Sequence, residues 1–135
     1  MSELKLLQTF KNQIINFLDE LIQQFPEEAE FVIIRIFVKD QIPLGDVIGR
    51  FIKECLPHHD QIRMKNQSFF LDSDIIVNAM GGSKMGQDVM DKLKSLWLSH
   101  RLDEDDREMI WKWMGLFFQI ANNYKIKHGN VPGWE

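Results

Sequence analysis

Apolar residues recur every three or four positions along the first segment: Leu4, Leu7, Phe10, Ile14, Phe17, Leu18, Leu21 and Phe25. Lys5, Gln8, Asn12, Asn16, Asp19, Glu20 and Gln23 fill the opposite side. This pattern predicts an amphipathic helix of about six turns. Ser2 is placed to cap its start, and Pro26 ends it, because a proline drives the preceding residue out of helical geometry. The next segment begins with Pro26, Glu27, Glu28 and Glu30, a proline and acidic residues that favour a helix start. Its body, Phe31 to Val38, is rich in β-branched side chains and reads equally as one buried strand. A lone strand is not stable, and no second convincing strand follows, so the expectation is a helix buried on most sides.

Prolines bracket the third segment, "PLGDVIGRFIKECLP", in which Leu44, Val47, Ile48, Phe51, Ile52 and Leu56 keep helical spacing. Gly45 and Gly49 lie four apart and either admit a neighbouring helix closely or are simply tolerated. Residues 57–82 read as an irregular linker with short helical turns. "MGGSKMG" at 80–86 is the strongest break in the chain. Ser83 then caps a helix with Met85, Val89, Leu93, Leu96 and Trp97 on one face, ending near His100. Asp103 caps the last helix, whose acidic first turn suits the helix dipole. There Ile110, Trp113, Met114, Phe117, Ala121 and Tyr124 form the apolar face, Trp111 and Phe118 widen it on one flank, and Met109 and Leu116 widen it on the other. The apolar arc spans roughly 200°, about twice what a surface helix needs. This helix is therefore either central to the bundle or also serves a partner. Residues 129–135 read as a flexible tail after a helical domain of residues 1–128.

The 135 residues fit one domain, and 44% hydrophobic with 27% charged residues is ordinary globular composition. A net charge of −4 and the absence of a long basic run argue against a broad nucleic-acid-binding face. The single cysteine forms no internal disulfide and suits a reducing, cytoplasmic setting. The N-terminal stretch has no apolar core of the signal-peptide kind, and no run approaches the roughly 18 apolar residues of a membrane span.

Four clusters carry chemistry-bearing residues. Cys55, His58 and Asp60 are of the types a nucleophile with its base would use, and His58–His59–Asp60 of the types that bind metal. Adjacent histidines point in different directions, however, and Pro57 interrupts the three-residue spacing from Cys55 to His58. A joint between two helices is the favoured reading. The glycine loop at 81–86 lacks phosphate-loop spacing and is favoured as a plain helix start. Asp103, Glu104, Asp105, Asp106 and Glu108 lack calcium-loop spacing and read as a charged helix start. Lys92, Lys94 and Arg101 beside Trp97 could touch nucleic acid, but a solvated face is favoured.

Three stretches share the order and spacing of a known group: "FLDELIQQFPEE", "LPHHDQIRMKNQSFFLDSD" and "KLKSLWLSHRLDEDDREMIWKWMGLFFQIANNY". The carrying residues are Leu21–Phe25–Pro26, Asp60–Ile62, Phe69–Phe70–Leu71 and Ile110–Trp111–Lys112–Trp113. In these the chain resembles small helical proteins, mostly of unknown function, from nucleocytoplasmic large DNA viruses of algae and other protists. The resemblance implies an all-helical protein of an infected cell or virion and carries no catalytic residue.

The sequence thus predicts an all-α single bundle of about five helices with an irregular central linker. It is expected to be a non-enzymatic interaction protein that needs no cofactor or metal. It would bind a protein partner or a second copy through Trp111, Met114 and Phe118, with no membrane partner. The rival readings are a nucleic-acid accessory protein and an enzyme built around Cys55, His58 and Asp60.

Overall fold

A computed structural model describes residues 2–79, 82–131 and 133. Gly81 of the glycine loop and residues 132, 134 and 135 of the expected tail lie outside the described residues. All regular structure among the described residues is helical: α1 (Glu3–Gln24), α2 (Ala29–Asp40), α3 (Leu44–Glu54), α4 (His59–Arg63), α5 (Gln67–Asp72), α6 (Ile75–Ala79), α7 (Lys84–Leu98) and α8 (Glu104–His128).

Capping follows the sequence closely. The Ser2 hydroxyl accepts the Lys5 amide at 3.2 Å, and Ser83 accepts from Gly86 at 3.1 Å. Asp103 and Asp106 form a reciprocal capping box at the start of α8. Gly129 ends α8 at a φ of 74°, where a side chain would be strained. The second segment differs from expectation at its start. Pro26 and Glu27 form a turn, and Glu28 rather than Pro26 opens the helix.

α1 and α8 run antiparallel through the middle of the molecule. Tyr124 donates to Glu3 at 2.8 Å at one end, Trp113 donates to Glu20 at the other, and Phe10 and Phe17 meet Phe117 edge-on between them. Each phenylalanine fully buried there contributes about 1.5–3 kcal/mol by leaving water. α2 lies antiparallel to α1 on its other side, tied by Arg35 to Asp19 and by the Lys11 ammonium to the Lys39 carbonyl at 2.8 Å. α7 packs on α2, and α3 packs on α1, α6 and α8.

The expected architecture needs one correction. Five helices have eleven or more residues, but the central linker is not irregular. A 3₁₀ turn at Leu56–His58 and the short helices α4, α5 and α6 carry most of it. Asn66 caps α5 through the Phe69 amide at 3.1 Å. Near the C-terminus, Val131 is buried, facing Gly45 of α3 at a point where an added methyl group would come within 3.4 Å of it.

Candidate functional site

The linker residues do not converge on a site. Cys55 is fully buried, and its thiol points to the Ile75 carbonyl at 3.8 Å. Burial, helped by the nearby Glu54 charge, pushes the thiol up to about 12, the wrong direction for a nucleophile. His58 leans on the Phe69 ring, His59 stacks on Phe118, and Asp60 pairs with Arg63 at 2.8 Å. Among the described residues, no three His, Cys, Asp or Glu side chains gather closely enough to hold a metal ion.

The candidate basic face is neutralised within the chain. Lys92 and Arg101 both bind the buried carboxylate of Glu28, each at 2.9 Å, and Lys94 binds Asp72 at 2.7 Å. Arg101 also reaches Glu27 and lies over the Phe25 ring. Hydrogen bonds from Lys92 and then Arg101 hold the Glu28 carboxyl below its ordinary value near 4.5. These contacts clamp the α1–α2 corner to α7 and to the loop after it. The acidic start of α8 acts as a cap, as its spacing suggested.

The structure places Trp111, Met114 and Phe118 inside, with exposures of 8%, 6% and 1%. The linker helices cover this flank. Phe70 of α5 and Trp97 of α7 close on Trp111, with ring centres 5.3 and 5.6 Å away. His59 lies flat on one face of Phe118 at 4.7 Å, and Phe51 meets it edge-on at 4.9 Å. The wide apolar arc of α8 is therefore accounted for by its central position.

Exposed apolar surface collects instead on α2. Val32, Ile33 and Ile36 are 39%, 49% and 48% exposed, while Phe31, Ile34 and Val38 point inward. The expectation of a helix buried on most sides is corrected here. α1 and α7 flank α2, and its outer face stays exposed. The sequence did carry a signal, since apolar residues on both faces of Phe31–Val38 exceed what one inward stripe needs. Ile33 also shares a shallow groove with Met85 and Val89 of α7. On α1, Ile15 and Ile22 are half-buried on the side that carries Lys11 and Asp19, the residues bonded to α2.

No described helix is long and apolar enough to cross a membrane. No protein-family model, no curated protein and no solved structure matches this chain, so the resemblance noted in the sequence rests on its own motif residues.

Proposed function

We propose that this chain is a non-enzymatic interaction protein that associates with a second copy of itself through the outer face of α2. The observation that carries this reading is the row of Val32, Ile33 and Ile36, β-branched residues left in water on a helix whose inner face is already packed. A standard interface covers roughly 800 Å² per partner, more than one twelve-residue helix supplies. The half-buried Ile15 and Ile22 on one side and Met85 on the other extend the patch.

Charge favours a second copy in a two-fold, antiparallel arrangement. α2 has Glu28 at its cap and Glu30 in its first turn, and Lys39 stands next to its last residue, Asp40. Antiparallel pairing opposes the two helix dipoles. Parallel pairing would set like against like. On the viral resemblance, the setting is the cytoplasm of an infected cell or the virion.

The test is sedimentation of wild type and of the Ile33→Glu/Ile36→Glu double variant. Wild type is expected at twice the 16.0 kDa chain mass, and the variant as a folded monomer with an unchanged helical spectrum. A wild type that stays monomeric at high micromolar concentration, or a variant that dimerises equally well, would overturn the reading.

A further inference from the structure

The helices line a partly open apolar pocket of about 140 Å³ between α1, α2, α3 and α7. Phe10 and Leu18 of α1, Ile34 and Val38 of α2, and Val89 and Leu93 of α7 form part of its wall. Natural interiors pack as densely as organic crystals, and voids larger than a water molecule are few. One larger side chain on this wall would close much of the space, and the chain carries ten phenylalanines.

We propose that this pocket is a binding site for a small, neutral, apolar molecule about the size of a benzene ring. Its size matches cavities of roughly 150 Å³ that stay dry and take up benzene or xenon. The wall is almost wholly carbon. Water is a poor occupant, because a buried water needs two to four polar partners. Among the described residues, Arg50 is the only charged one on the wall. Among the described residues no second polar side chain is there to orient a headgroup, which favours an uncharged guest.

Occupancy stabilises only the folded chain, so binding shifts the folding equilibrium. Three measurements test the site on the purified protein. Benzene titration followed by thermal unfolding should give a saturable rise, with the folding constant about eleven-fold higher when free benzene is ten times its Kd. Xenon NMR of the wild type should show a saturable shift. Benzoate, the charged analogue, should bind more weakly than benzene. Val38→Phe and, from α7, Leu93→Phe should fold and lose the benzene and xenon responses. A wild type that responds only linearly to xenon and shows no benzene-dependent stabilisation would overturn the proposal even if neither variant folds. So would filled variants that respond like wild type, or tighter binding of benzoate than of benzene.

Discussion

α8 and α2 both carry more apolar surface than a single core-facing stripe requires, and the fold treats them oppositely. On α8 the surplus is roofed over. The short helices between α3 and α7 bring His59 and Phe70 onto Phe118 and Trp111, and both of these are buried. On α2 the surplus stays outside as Val32, Ile33 and Ile36, while the inner residues Ile34 and Val38 face the pocket. Both helices line the same pocket on their inner sides, but α8 is covered on its rich flank while α2 leaves its outer face exposed. Surplus hydrophobicity in a helix therefore does not by itself mark a contact surface. What decides is whether the rest of the chain has a segment to lay over it.

The sharpest way to break this comparison is a charge on each helix. Phe118→Glu should abolish cooperative unfolding, because the carboxylate would be buried without a partner, whereas the Ile33→Glu/Ile36→Glu chain should stay folded. Circular dichroism through a urea titration reads both. A folded Phe118→Glu protein would mean that the flank opens readily.

Added volume gives a smaller and more discriminating effect. Ala121 is fully buried on α8, and Ala121→Leu should cost about 1–3 kcal/mol through overpacking. Val38→Leu adds carbon to the pocket side of α2. Partial filling of the pocket should be neutral or gain up to about 0.8 kcal/mol. Equal losses at the two positions, measured by denaturant unfolding, would show that the two helices are packed alike.

The smallest expected effect is on pH dependence. The Glu28 carboxyl is held below its ordinary value by Lys92 and Arg101, so its contribution is complete above about pH 4.5 and is lost as the pH falls through the lowered folded value. Glu28→Gln should flatten the acid limb of the melting-temperature profile and leave Ala121→Leu and Val38→Leu ranked as before. An unchanged acid limb would mean that the clamp adds nothing, as many exposed ion pairs do not.

Much of the fold was legible in the sequence, because caps and helical periodicity are local. Ser2, Ser83 and Asp103 announce the starts of α1, α7 and α8, and each forms the bond its position implies. The linker was harder. Residues 57–79 lack a sustained apolar period, so their short helices depend on individual turns and on packing against α3, α7 and α8. The same nonlocality hid the surface. Trp111 and Phe118 look surplus in sequence because Phe70 and His59, which cover them, lie more than forty positions away. Conversely, Val32, Ile33 and Ile36 look like core because hydrophobicity alone does not say which elements arrive to cover it.

Cys55 has a practical consequence. It is the only cysteine in the chain, it sits where α3 ends against the first residue of α6, and its thiol is both enclosed and hard to ionise. A thiol-specific reagent added to the native protein must wait for that seam to part. Its labelling rate then times the opening of the α3–α6 junction, and a single reporter atom gives one unambiguous signal with no engineering. Repeating the labelling with benzene present, or across protein concentration, would tell whether filling the interior or pairing the outer faces slows that opening, separating the two proposals at one sulfur.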